Sequence, residues 1–215
     1  MQPDIIFGLV ILIISVILHE VAHGYMANWL GDPTAKLQGR LTLNPVSHVD
    51  PVGSILLPLI LALTHSPFLF GYAKPVPYNP YNLRGKYDEG LVAFAGPATN
   101  IIIAVIFGLL VRFAGAALSP ALVGACTIIV IVNLVLAIFN LIPIPPLDGS
   151  KVLGSIFEAI SGRLAQGYEN FTINFQRLGL LPMLLIVYAV FFLVLQPYFV
   201  AFLAWSLRLL TGLSV

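Results

Sequence analysis

The sequence predicts an all-α polytopic membrane protein of about five spans, with a re-entrant or interfacial segment and a short β element after the first span. Three observations predict it. Of the 215 residues, 59% are hydrophobic and 9% charged, and the mean hydropathy is +0.99; an ordinary soluble domain carries about a quarter charged residues. Four stretches, Pro51–Ala73, Gly90–Val111, Phe113–Leu147 and Leu178–Leu207, hold no Asp, Glu, Lys or Arg, and each is at least as long as the ~20 apolar residues that cross a bilayer core. Proline and glycine punctuate the boundaries between apolar runs. This composition excludes soluble, disordered and nucleic-acid-binding classes, and a net charge of +1 supplies no field for capturing polyanions. The single Cys126 excludes an intramolecular disulfide framework and a thiolate metal cluster, and it reads as a small buried hydrophobe. Residues 1–215 form one integral membrane domain, with a core over 5–150 and C-terminal helices over 151–215.

The first apolar run, Ile5–Leu18, continues in helical register through Val21, Ala22, Tyr25, Met26, Trp29 and Leu30. Gly31-Asp32-Pro33 then stops it, glycine as C-cap and proline just beyond. A helix of about 26 residues is roughly 39 Å long, enough to cross with some tilt. A cleaved leader is disfavoured, since Met1-Gln2-Pro3-Asp4 has no basic residue. Leu37–Asn44 alternates apolar and polar residues and predicts a half-buried strand, ended by Asn44-Pro45. Gly71–Asn82, rich in Pro and Tyr, predicts an extended interfacial segment. Leu91–Val111 and Ala121–Ile142 are the clearest spans. Pro143-Ile144-Pro145-Pro146 breaks the second of them. Lys151–Gly179 predicts an interfacial helix plus a loop, and Leu180–Leu195 and Tyr198–Leu213 predict two final spans separated at Gln196-Pro197.

Chemistry concentrates in the first span. His19-Glu20-Val21-Ala22-His23 places two imidazoles at i and i+4 on one helix face, where both can ligate one metal ion, with a glutamate beside the first to act on water. Ionisable residues inside a span cost at least ~2.5–3.5 kcal/mol on insertion scales, which makes them functional by default. A hydrolytic site needs a third protein ligand; the candidates are Asp4, His48, Asp50, His65, Asp88, Glu89 and Asp148. Asp148 stands out. It follows a proline-broken segment, and irregular backbone at membrane depth is tolerated only where it is buried or lines a cavity.

His19-Glu20-x-x-His23, Gly96-Pro97-Ala98-Thr99-Asn100 and Asn140-x-x-Pro143-x-Pro145-x-Leu147-Asp148-Gly149 together resemble the site-2 protease family of intramembrane zinc metalloproteases. Gly39–Pro45 with Asp50-Pro51 is similar to its compact prokaryotic branch without PDZ or CBS domains. The resemblance covers about Ile5–Ser150. It implies one Zn²⁺ held by His19, His23 and Asp148, with Glu20 as catalytic base and Asn140 positioning the substrate or transition state. It implies as partner a single-span membrane protein, such as a membrane-tethered regulator or anti-sigma factor, cut in or near its transmembrane segment. Leu41 and Leu43 on the alternating segment, and Asn100, are candidate substrate-binding residues. An ion transporter and a silent scaffold are the competing classes. The first lacks matching broken half-helices; the second has no use for the full set His19, Glu20, His23 and Asp148.

Shared ligation of one metal also constrains topology. His19 and His23 lie near the C-terminal end of the first span and Asp148 follows Ala121–Ile142, so these two spans run in the same direction. Leu91–Val111 supplies the return, and Pro51–Ala73 is then no simple span. Lys36, Arg40, Lys74, Arg84, Lys86, Lys151, Arg163 and Arg177 fall on one side and Arg112 on the other. By the positive-inside rule, the N-terminus is outside the cell membrane and the site opens toward the cytoplasm.

Overall fold

In the computed structural model, residues 3–50, 56 and 74–213 are described. They form helices joined by turns. Helix α1 (Pro3–Leu30) is followed by the short α2 (Thr34–Leu37), by 3₁₀ turns at Pro45–His48 and Pro80–Asn82, and by α3 (Asp88–Ala114). Then come α4 (Pro120–Asn140), α5 (Asp148–Ile160), α6 (Gly162–Gln176), α7 (Leu180–Val190) and α8 (Gln196–Thr211). Among the described residues, four helical stretches are long and apolar enough to cross a membrane: Ile6–Leu30, Asp88–Ala117, Pro120–Asn140 and Leu181–Thr211.

Each of the first three turns one stripe inward. On α1 the buried residues Ser15, His19, His23 and Ala27 recur every four positions, the spacing that stacks side chains on one helix face. Ile6, Ile13 and Ile14 on the same helix are exposed, as apolar side chains facing lipid must be. The inward stripe of α3 is Val92, Gly96, Asn100, Ala104 and Gly108. Small residues let helices approach closely where lipid gives no hydrophobic drive to association. A Cβ on Gly108 would sit 2.7 Å from Leu210 Cβ, so α8 packs tightly there. The apolar core, Ala104, Val130, Leu134 and Leu207, lies between α3, α4 and α8.

Helix directions follow from the contacts. Ser15 meets Asn133 while His19 and His23 meet Asp148, so α1 and α4 run parallel. His23 meets Val92 and His19 meets Asn100, so α3 runs antiparallel to α1. That is the arrangement shared ligation requires. The Lys74 N–H donates to His48 O at 2.9 Å, which keeps the chain on either side of residues 51–73 at one end of the bundle. The expected re-entrant or interfacial segment itself lies outside the described residues.

Two expectations are corrected. The last two spans are one continuous 31-residue helical stretch, because a π-helical turn at Phe191–Leu195 widens the helix ahead of Pro197. Proline's missing N–H is thereby absorbed instead of ending the helix. The short β element does not form among the described residues. Leu37 ends α2, the Arg40 N–H closes a turn on Ala35 O at 2.9 Å, and Gly39 takes φ +64°. Alternation alone makes no strand when no neighbouring strand is beside it. Gly31-Asp32-Pro33 ends α1 as expected, with Gly31 at φ +118°. The segment 151–179 is more helical than expected, α5 and α6 meeting at Ser161.

Candidate metal centre

The i, i+4 pair on α1 faces the bundle interior, with His19 5% and His23 9% exposed. Asp148 opens α5, after the turn that returns the chain from the end of α4. That turn needs Gly149, because a Cβ there would overlap the Leu141 carbonyl. One carboxylate oxygen, Asp148 Oδ2, lies 3.1 Å from His19 Nε2 and 3.3 Å from His23 Nε2. The imidazoles meet edge to face with centroids 4.7 Å apart. One ligand atom from each of the three residues falls within 4.8 Å of the others.

The other ring nitrogens point away from this cluster to fixed acceptors. His23 Nδ1 lies 2.7 Å from the Val92 carbonyl, and His19 Nδ1 lies 2.6 Å from Asn100 Oδ1. A carbonyl oxygen only accepts, so His23 Nδ1 carries the proton and donates, which leaves the Nε2 lone pair facing inward. Histidine metal ligands are ordinarily oriented this way. Gly96 makes the room: a Cβ there would overlap the His23 ring and approach His19 Cε1 to 2.7 Å. Two imidazoles and a carboxylate are a donor set that fits a zinc ion.

Glu20 is held from the far side. Its Oε2 accepts the Val76 N–H at 2.9 Å. Val76 belongs to a strap, residues 74–82, anchored by the fully buried Asp32 at the end of α1. Asp32 accepts the Asn79 N–H and an Asn82 Nδ2 hydrogen, each at 2.7 Å, and the Arg40 guanidinium donates to Lys74 O and Pro75 O. Burial raises the Asp32 pKa, but donors from Thr34, Asn82 and Asn79 outweigh it, so the carboxyl sits below its ordinary value.

The structure thus brings His19, His23 and Asp148 together, with Glu20 adjoining. Leu41 and Leu43 line a cavity of about 290 Å³ against Leu18, Val21, Ala22 and Tyr25 of α1. Asn100, at 0% exposure, lies behind His19 with its amide engaged by neighbours. The hydrogen bond described for Asn140 stays in its own helix, Nδ2 donating to Leu136 O at 2.9 Å. Of the other candidate ligands, Asp88 accepts the Gly85 N–H, Glu89 accepts the Tyr78 hydroxyl and His48 bonds Thr42 O. His65 lies outside the described residues. Sequence reasoning missed the Val76 N–H, a backbone group with no side-chain signature. It also missed Ser15, although its i, i+4, i+8 spacing to His19 and His23 was a usable signal.

Comparison with known proteins agrees with this geometry. The sequence model described as peptidase family M50 matches residues 7–186. The chain belongs to peptidase family M50. This is the site-2 protease family that the three motifs resemble. Among its relatives, "Putative zinc metalloprotease YwhC" of Bacillus subtilis is 45% identical over 150 residues, 66% of this chain and 65% of YwhC. "Putative zinc metalloprotease Rip2" of Mycolicibacterium smegmatis is 30% identical over 158 residues, 71% of this chain and 60% of Rip2. "Putative zinc metalloprotease MJ0611" of Methanocaldococcus jannaschii is 39% identical over 66 residues, 31% of this chain and 34% of MJ0611. The match therefore spans less than two thirds of each of these M50 relatives. No solved structure matches the chain.

Proposed function

We propose that this M50 protein is an intramembrane zinc metalloendopeptidase that hydrolyses a peptide bond in or near the transmembrane segment of another membrane protein. The observation that carries the reading is the convergence of Asp148 on His19 and His23, which with Glu20 lie inside a helix long and apolar enough to span a membrane. Bound zinc supplies Lewis acidity toward the attacking water and the scissile carbonyl. His19, His23 and Asp148 would hold one such ion. Glu20 takes a proton from the water and returns it to the departing amine. Asn140 is assigned to substrate positioning on the strength of its motif.

The substrate class follows from family resemblance: a single-span membrane protein such as a membrane-tethered regulator or anti-sigma factor. A helical substrate hides its carbonyls in internal hydrogen bonds and must unwind before attack. The stretch Leu41–Leu43, outside any helix and beside a cavity on α1, is suited to hold the unwound chain by backbone pairing. The proposed setting is the prokaryotic cell membrane, with the N-terminus outside and the site open to the cytoplasm. Clustering of Lys86 with Glu158, and of Lys151 with Tyr78 and Glu89, at the Asp148 end supports that orientation, as does Arg112 at the opposite end against Leu209 O.

The test compares wild type and Glu20→Gln in proteoliposomes holding a single-span reporter substrate. Wild type is expected to cut, and the variant to keep its zinc while cleavage falls by about 100-fold or more. Undiminished cleavage by the variant, or zinc flux without any cleavage, overturns the proposal.

A further inference from the structure

Behind His19 lies a buried chain of amides that the reaction itself does not use. Asn100 and Asn133 are both at 0% exposure and Ser15 at 3%, within the span region, where an unsatisfied amide is expensive. Asn133 Nδ2 reaches Ile129 O at 2.9 Å and Ser15 Oγ at 3.0 Å. Asn133 Oδ1 accepts from Asn100 Nδ2 at 2.8 Å, and that Nδ2 also points to Ser15 O at 3.4 Å. Asn100 Oδ1 faces His19 Nδ1 at 2.6 Å.

The chain has a direction, fixed at its far end. Ile129 O is a backbone carbonyl and only accepts, so the amide end facing it must be the NH₂ of Asn133. That turns Asn133 Oδ1 toward Asn100, which must answer with its own NH₂. Ser15 O, another carbonyl, makes the same demand on Asn100. Asn100 therefore shows its oxygen to His19, and His19 Nδ1 must carry a proton. The reversed chain would set oxygen against oxygen at Ile129 and leave Asn100 offering N–H to His19 Nδ1. The imidazole proton would then sit on Nε2, where it blocks the metal.

We propose that Asn133, with Ser15, is a positioning residue that sets the protonated nitrogen of His19 through Asn100, keeping the Nε2 lone pair available to zinc. His23 reaches the same state through one backbone carbonyl, Val92 O. His19 lacks such a carbonyl and takes its instruction from a helix two contacts away. The inference rests on the metal-binding part of the proposed function and is independent of cleavage.

Two measurements test it. In ¹⁵N-histidine-labelled, metal-free wild type, the His19 Nδ1 resonance is expected to report a protonated nitrogen; an unprotonated Nδ1 overturns the inference without any variant. Zinc affinity by chelator competition is then compared for Asn133→Leu and Asn133→Asp. Leucine removes the acceptor for Asn100 and should weaken zinc by about 10–100-fold, the usual effect of losing an outer-shell partner. Aspartate, held neutral by burial in the span, keeps an oxygen facing Asn100 and turns its hydroxyl to Ile129 O, and affinity close to wild type is expected. A folded Asn133→Leu variant with wild-type affinity overturns the proposal, as does an Asn133→Asp variant no better than leucine. If Nδ1 is protonated in wild type but the protein binds no zinc, it is the metalloprotease reading that fails.

Discussion

Gly96 is where a single methyl group matters most. Alanine there would drive its Cβ into the His23 ring and to within 2.7 Å of His19 Cε1. In an ordinary helix the same change is stabilising by roughly 0.5–1 kcal/mol. Gly96→Ala is thus expected to keep helix content, to lower thermal stability modestly because overpacking outweighs the helix gain, and to weaken zinc binding by about tenfold or more. Circular dichroism alongside zinc titration checks both halves, and unchanged zinc binding would remove Gly96 from the site. Asp32 makes a second prediction at this scale. Its folded-state pKa is lowered, so the unfolded chain binds the proton more readily. Its stabilisation is present above the ordinary carboxylate pKa near ~3.9 and is lost as pH falls through the lower folded value. Melting in detergent across acidic pH should show a shallower acid limb for Asp32→Asn. Asp32→Ala, which removes charge-assisted hydrogen bonds, should cost about 1.5–3 kcal/mol at neutral pH.

At the scale of elements, the segment after α2 decides how a substrate is held. Leu41 and Leu43 line the α1 cavity while adjoining no described strand, which leaves their backbone for an incoming chain if the substrate pairs there. Proline at either position removes an N–H and fixes φ. Leu41→Pro or Leu43→Pro is expected to cut reporter cleavage by about tenfold, in line with losing one or two backbone hydrogen bonds, with zinc content normal. Full cleavage by both variants would rule the pairing out. The strap 74–82 is a second such element. It carries no catalytic side chain, yet its Val76 N–H fixes Glu20 Oε2.

Across the whole molecule, orientation is the property to measure. The only cysteine, Cys126, is 2% exposed, so engineered thiols can be labelled over a low background. Ala117, in the turn between α3 and α4, and Gln166 on α6 are both exposed and lie toward opposite ends of the bundle. With the N-terminus outside, a membrane-impermeant maleimide should label Ala117→Cys in intact cells, and Gln166→Cys only after lysis. The reverse pattern would invert the proposed topology and turn the site away from the cytoplasm.

The sequence by itself determined the membrane class, singled out the proposed metal-binding residues and set the helix directions that bring them together. Scarcity of charge made His19, Glu20, His23 and Asp148 conspicuous, and spans of fixed length left few ways to bring them together. Tertiary structure decided what depends on neighbours. Pro197 reads as a break until a π turn beside it absorbs the missing hydrogen bond. Leu37–Asn44 reads as a strand until no partner strand is found among the described residues. Asn100 and Asn133 read as polar residues of two separate helices. Only their approach to 2.8 Å, and to the Ile129 carbonyl at 2.9 Å, gives the amides a direction, because a hydrogen bond's polarity is set by both of its partners.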